Sequence, residues 1–299
     1  QDALVVQVPA AHRAGPPAGL AAGRRPVCGR SARAELQGGA AQSCTALLQA
    51  LQRAQGYQGL KLVPTCLAAH TTPPEFKGKP DQYLDLVCDE ILPAIAQEKL
   101  AVAADVFIED GVFSGDQGRR VLKKARELGL AAHVHADQLG AGEGTRVAIE
   151  GGALSADHLE YVDDQTIAAM AKAGTTAVLL PGSTFFLRQD AWAPARKLID
   201  AGVPVALATD FNPGSSPTAS PSFIMTLACL KLGMSAQEAL AAFTRNAAYC
   251  LRIDAEYGSI EAGKRAAFAV WDVEHEEQIP YWFGTRVLRE TLIYDVEHN

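Results

Sequence analysis

Histidines at positions i and i+2 in AAHVHADQ (131–138), and an aspartate closing PVALATD (204–210), are the side chains of this sequence best suited to hold a cation. Both stretches read as short apolar strands that end on polar residues. Side chains two apart on a strand share a face. His133 and His135 can therefore both point into an α/β core, with His135 nearer the carboxyl end and the better placed ligand. Imidazole and carboxylate together suit zinc or iron. A metal in that position activates water for hydrolysis, and Asp210 can act both as ligand and as acceptor of the water's proton. The ordinary readings are a core histidine with its hydrogen bonds met, or a loop aspartate capping its own turn. Histidines and an aspartate at separate strand ends favour the metal.

Other strand ends carry polar groups as well. His158 in SADHLE (155–160) can hold a reactive water or donate to an oxyanion, and Glu160 beside it can simply pair with a neighbour. His70, where KLVPTCLAAH (61–70) meets a proline loop, can touch a substrate. Asn212, Gly214 and Ser215 offer a side-chain amide, close backbone approach and a hydroxyl to a small polar ligand, and fit plain turn chemistry equally well. His12, His275 and His298 lack such surroundings and read as surface residues.

The elements that must position these groups alternate. Strands are expected over 61–70, 103–110, 131–136, 155–160, 175–183 and 204–210. Helices are expected over 81–100, 116–129, 142–152, 163–174, 190–202, around 220–232 and over 235–251, and a hairpin over 258–273. Short strands alternating with longer helices mean βαβ units and a parallel sheet. A doubly wound sheet concentrates its chemistry at one switch point, whereas here His70, Glu109, His135, His158, Ser183 and Asp210 end successive strands. That distribution favours a barrel of the (β/α)8 type, whose active site is built at the carboxyl ends of the strands. Six units follow residue 60, so the barrel is incomplete at its amino end.

The 299 residues are 48% hydrophobic and 20% charged, ordinary for a globular protein of one large domain. A net charge of −7 gives no reason to expect a nucleic acid or an anionic membrane as partner. No apolar run reaches the ~20 residues of a membrane helix. Cys28, Cys44, Cys66, Cys88, Cys229 and Cys250 form no CxxC pair, which fits a reducing cytoplasm better than a disulfide scaffold. Residues 1–60 stand apart: six arginines against Asp2 and Glu35, no Ile, Met, Phe or Trp, and Tyr57 as the one aromatic residue. Such a segment buries little and orders weakly. It lacks both an initiator methionine and a signal-peptide layout, and the whole chain is expected to be a fragment. The expected division is an atypical segment over 1–60, a hydrolase barrel over 61–256, and a small β-domain remnant with a tail over 257–299.

From about Leu62 to Gly284 the chain resembles the imidazolonepropionases, a family of the amidohydrolase superfamily. The resemblance rests on VPTCLAAHTTPPEFKG (63–78), YLDLVCDEILPAIA (83–96), ADVFIEDGVFS (104–114), HVHADQLGAGEG (133–144), GALSADHLEYV (152–162), VLLPGSTFFL (178–187) and ATDFNPGSSPTASP (208–221). It implies a TIM-type amidohydrolase barrel with a remnant of a small β-sandwich. It also implies hydrolysis of 4-imidazolone-5-propanoate to N-formimidoyl-L-glutamate in histidine breakdown, in the cytoplasm, with a homodimer as the candidate assembly. By the same resemblance His135 and Asp210 ligate one zinc or iron ion, with His133 as a further candidate. Asp210 also takes the water's proton, and His158 stands beside the reacting carbonyl. Gln138, His70, Asn212, Gly214 and Ser215 contact the small-molecule substrate.

Departures accompany the resemblance. The family carries an HxH pair on its first barrel strand, an arginine shortly after it, and a tyrosine in a Ser-Gly-Tyr-Gly segment. No HxH pair precedes residue 133, and neither substrate-holding motif is found. A catalytically dead fragment that acts as a binding protein is the reading from another class. A related cyclic-amide hydrolase or deaminase is the other alternative. A two-metal dihydroorotase or hydantoinase would need a strand-end lysine, which is absent, and VLLPGSTFFL and DFNPGSSPT argue against a cytosine deaminase.

Overall fold

A computed structural model of the chain describes residues 39–54 and 61–294. Helix α1 (Gly39–Ala54) comes first and packs on strand β1 (Thr65–Ala69). Its Cys44 and Leu48 are buried in the main core. The segment expected to stand apart from the fold thus contributes an amphipathic helix: in TALLQAL an apolar stripe recurs at helical spacing, which overrides the poor composition around it. His12, Tyr57 and His298 lie outside the described residues.

After β1 the chain runs through α2 (Pro80–Leu86), a π turn (Val87–Ile91) and α3 (Leu92–Gln97), where one uninterrupted helix was expected. Pro93 explains the wider turn. It has no N–H to return to the carbonyl four residues earlier, and a π turn absorbs that loss. The alternation then follows the expected plan: β2 (Ala103–Ile108), α4 (Gly115–Glu127), β3 (Ala131–Ala136), α5 (Gly144–Gly151), β4 (Ser155–His158), α6 (Asp164–Ala173) and β5 (Thr176–Leu179). A short helix α7 (Pro181–Phe186) replaces the loop expected after β5, started by Pro181 at its first turn. Next come α8 (Ala195–Asp200), β6 (Val205–Leu207), α9 (Pro221–Leu232), α10 (Ala236–Phe243) and α11 (Arg245–Cys250).

The strands form one parallel sheet in the order β1-β2-β3-β4-β5-β6. Each strand pairs with its sequence neighbour, as in a barrel and unlike a doubly wound sheet. Among the described residues β1 and β6 each keep one unpaired edge, so the barrel is not closed. Val106, Ile108, Val134, Ala136, Leu179 and Leu207 face the helices and share the main core with Val121, Leu122, Val147, Ile167 and Leu198. Gly144 lets α5 start against the sheet: a Cβ there would meet Ala136 Cβ at 2.7 Å and the Ile108 carbonyl at 3.0 Å. Side-chain caps set the helix starts, for example Ser114 and Gln117 in a reciprocal capping box on α4.

The closing segment differs from expectation. Strand β7 (Ala266–Trp271) does not fold back within 258–273. After α12 (Gln278–Tyr281) it pairs antiparallel with β8 (Leu288–Tyr294), Ala266 opposite Tyr294. The partner lies beyond the reach of local turn signals, which is why a hairpin was inferred in its place. No helix among the described residues is long and apolar enough to cross a membrane.

Candidate active site

Register decides which side chains share the barrel interior. Asp105 pairs with His133 and Phe107 with His135 across β2 and β3, while His133 pairs with Ser155 and His135 with Asp157 across β3 and β4. In-register neighbours in a parallel sheet project to the same face. The result is two polar tiers inside the sheet. The deeper one holds Asp105, His133 and Ser155. The one nearer the carboxyl ends holds His135 and Asp157.

His133 belongs to the deeper tier, where its Nδ1 has a partner. Its Nδ1 is 2.8 Å from Ser155 Oγ, which donates to Asp157 Oδ1 at 2.5 Å. It stands outside the donor cluster at the mouth, so the structure does not join it to His135 as a shared ligand pair. Burial keeps its imidazole below the ordinary value. Burial also pushes the Asp157 carboxyl up to about 7.

The mouth is built from His70, His135 and His158, with the Asp105 carboxylate reaching His135 from the deeper tier. His70, just past β1, stacks on Phe107 at 5.2 Å between ring centres and meets the His135 ring edge-on at 4.8 Å. The His158 ring lies 5.2 Å from that of His135. His135 Nδ1 is 2.9 Å from Asp105 Oδ2. His70, Asp105 and His135 each offer a ligand atom, and these atoms lie within 4.8 Å of one another. Imidazole nitrogen and carboxylate oxygen are the donor types of a zinc-type ion, although the His135 Nδ1 and Asp105 Oδ2 atoms of this group bond each other. A second sign of fit is that His70 Nδ1, Asp105 Oδ1 and His158 Nδ1 are buried without hydrogen-bond partners.

The electrostatics follow from crowding charge in a dry place. Burial opposes a charged His135, but Asp105, with Asp157 and Asp210 adding to it, lifts the imidazole to about 9. Burial works against the Asp105 carboxylate too, and His135 and then His70 still hold it well below the usual carboxylate range. At His158 the Asp105 carboxylate is too weak to offset burial. Burial, followed by His135 and His70, pushes it well below the ordinary imidazole value, so it is neutral at working pH.

Asp210 lies on the loop after β6, outside the cluster of three but within the field of its imidazoles. Burial raises its carboxyl, while His135 and His70 pull it down. Its backbone is left-handed, with φ +49°. Asn212 holds that bend by donating to the Asp210 carbonyl at 2.9 Å. The same Asn212 donates to Ser215 Oγ at 2.8 Å, and its Oδ1 accepts from the N–H groups of Gly214 and Ser215 at 2.9 and 2.7 Å. Asn212, Gly214 and Ser215 therefore form a tight turn that supports Asp210.

Gln138 sits on the loop after β3. Glu109 Oε2 accepts from the backbone N–H groups of Gln138 and Leu139, both at 2.9 Å. Asp137 ties the loop to the start of α5 by accepting from Gly142 N at 2.8 Å and from Thr145 Oγ1. The Gln138 amide reaches Ser183 Oγ at 3.5 Å. Glu160 accepts from Thr184 Oγ1 at 2.6 Å, so its neighbour is found on α7. Its other oxygen is buried without a partner, and burial raises the carboxyl to about 7.

Sequence reasoning placed His70, His135, His158 and Asp210 at the mouth but passed over Asp105. Its signal was available: ADVFI (104–108) is apolar except for one acid, placed two residues before Phe107 on the inward-facing alternation of a buried strand.

Comparison with known proteins adds three findings. A model of the amidohydrolase family matches residues 41–294. Imidazolonepropionase of Geobacillus kaustophilus is 47% identical over 237 residues, 79% of this chain and 56% of that protein. Imidazolonepropionase of Symbiobacterium thermophilum is 44% identical over 246 residues, 82% of this chain and 58% of that protein. The chain thus spans a little over half the length of these relatives. Among solved structures, an adenosine deaminase from Xanthomonas campestris with bound zinc superposes with a TM-score of 0.64 at 20% identity, covering 85% of this chain and 62% of that one. A 5-methylcytosine deaminase from Klebsiella pneumoniae gives 0.66 at 16% identity, covering 87% and 70%. At such identity these two speak for the shared barrel fold alone.

Proposed function

Since the chain belongs to the amidohydrolase family, we propose that it has imidazolonepropionase chemistry, opening the ring of 4-imidazolone-5-propanoate to N-formimidoyl-L-glutamate. The observation that supports this most is the convergence of three histidine rings and a buried carboxylate at the strand ends, with donor atoms left unpartnered. His135 and Asp210 would hold one zinc or iron ion. When bound, such an ion polarises a carbonyl and makes water acidic enough to be a nucleophile near neutral pH.

The remaining work falls to the side chains. Asp210 accepts the proton of the attacking water and returns it to the ring nitrogen as the C–N bond breaks. Water oxygen ends on the former carbonyl carbon and the proton on nitrogen, so atoms and charge balance. His158, neutral through burial, donates a hydrogen bond to the carbonyl oxygen as it gains negative charge. Gln138, held by Glu109, and His70, stacked on Phe107, orient the substrate from two sides. Asn212, Gly214 and Ser215 contact it from the turn below Asp210. The five described cysteines are free thiols, which suits a cytoplasmic enzyme.

The test is turnover by the purified chain supplied with zinc or ferrous iron, followed by loss of imidazolone absorbance. Metal-dependent loss with formation of formimidoylglutamate is the expected result. A metal-loaded, folded chain that leaves the substrate untouched contradicts the proposal.

A further inference from the structure

We propose that Asp105 is the positioning residue of this site, a single buried carboxylate that sets the ring orientation of His135 through one oxygen. The inference rests on the metal-site reading above only for its consequence, not for its geometry. Asp105 sits on β2, between the strands that carry the two histidines. Its side chain is 2% exposed. A carboxylate in such a place is costly unless it is partnered. Its Oδ2 accepts from His135 Nδ1 at 2.9 Å. Its Oδ1 has no hydrogen bond and faces His70 Nδ1, equally unpartnered, at 4.0 Å.

The pairing decides which nitrogen does what. An imidazole has two, and the bond made by one fixes the role of the other. With Nδ1 committed to Asp105, His135 presents Nε2 to a cation. Ligating histidines usually give their second nitrogen to such a carboxylate, and loss of that partner costs ten- to a hundredfold in metal affinity. His70 is held more loosely. Its side chain is 39% exposed and stacks on Phe107, 4.0 Å from the Asp105 carboxylate. The carboxylate therefore aligns the ligand histidine, while its second oxygen faces His70 without bonding it.

The experiment compares histidine ring protons by NMR in the ¹⁵N-histidine-labelled chain, kept metal-free with a chelator, and then titrates zinc against a chromophoric competitor. The expected spectrum has a downfield ring N–H that disappears in His135→Gln, persists in His158→Gln, moves upfield in Asp105→Asn and is lost in Asp105→Leu. Zinc affinity falls ten- to a hundredfold in Asp105→Asn while its melting temperature stays near that of the parent. If Asp105→Leu does not fold, the nearly isosteric Asp105→Asn decides. A ring proton unmoved by the Asp105 substitutions overturns the proposal, and so does zinc affinity within twofold of the parent. If the parent itself takes up no zinc, the metal-site reading fails while the ring-proton comparison still decides the role of Asp105.

Discussion

The rings of His135 and His158, on adjacent strands, lie 5.2 Å apart, yet the protein drives their charge states in opposite directions. Carboxylates around His135 outweigh burial and lift it to about 9, while burial, then the His135 and His70 imidazoles, push His158 well below its ordinary value. Titratable groups driven apart by their surroundings mark separate chemical roles. His158→Asn is expected to lower kcat by about 10²–10⁴-fold, the usual worth of such a group, with KM little changed. Asparagine tolerates the left-handed backbone that His158 adopts at φ +82°, so the fold should persist. Steady-state kinetics together with circular dichroism check both parts.

Asp210→Asn is expected to remove turnover almost completely, by ~10³-fold or more, since it eliminates the proton acceptor. The replacement also accepts the left-handed φ of +49° and leaves the Asn212 turn intact. Thermal unfolding within a few degrees of the parent, alongside lost activity, is the predicted pattern. Retained turnover would remove Asp210 from the mechanism.

Glu109 gives a different signature. Its side chain accepts two backbone N–H groups that shape the Gln138 loop. Glu109→Ala leaves both without that acceptor and should cost about 1–3 kcal/mol of stability. On the proposal that the loop orients substrate and takes no part in proton transfer, KM should rise more than kcat falls. Urea unfolding and steady-state kinetics on the same preparation separate the two effects.

Buried acids predict a pH dependence for the metal-free protein. Asp157 holds its proton up to about 7 when folded, against an ordinary value of 3.8. Between those values the unfolded chain binds fewer protons, so stability falls as pH rises from about 4 to about 7. Glu160, raised to about 7 by burial, adds a slope of the same sign. Asp157→Asn removes its own share, at most about 1.4 kcal/mol per pH unit in that window. Urea unfolding in chelator at pH 4.5 and 7 should show a flatter profile for the variant, and an unchanged slope would contradict the assignment.

The parallel sheet was legible because each βα unit announces itself locally, by an apolar run, a polar strand end and a capped helix. The mouth was legible for the same reason, since His70, His135, His158 and Asp210 each sit where a strand runs out. What escaped depended on contacts between distant segments. His133 shares a strand and a face with His135, but only the register with Ser155 shows which partner its Nδ1 takes. Asp105 gained meaning from strands on both sides. The β7–β8 pairing joins segments with a helix between them, and α1 earns its place by burying Cys44 and Leu48 on a core that its own composition does not suggest.

The central claim is that a cation is held at the mouth by His135 and Asp210. Anomalous diffraction from crystals of the zinc-loaded chain tests it directly. The account predicts one anomalous peak per chain, within bonding distance of His135 Nε2 and an Asp210 carboxylate oxygen. A chain that crystallises folded with no peak there, or with the ion bound elsewhere and these two side chains too far apart to share it, would contradict the account.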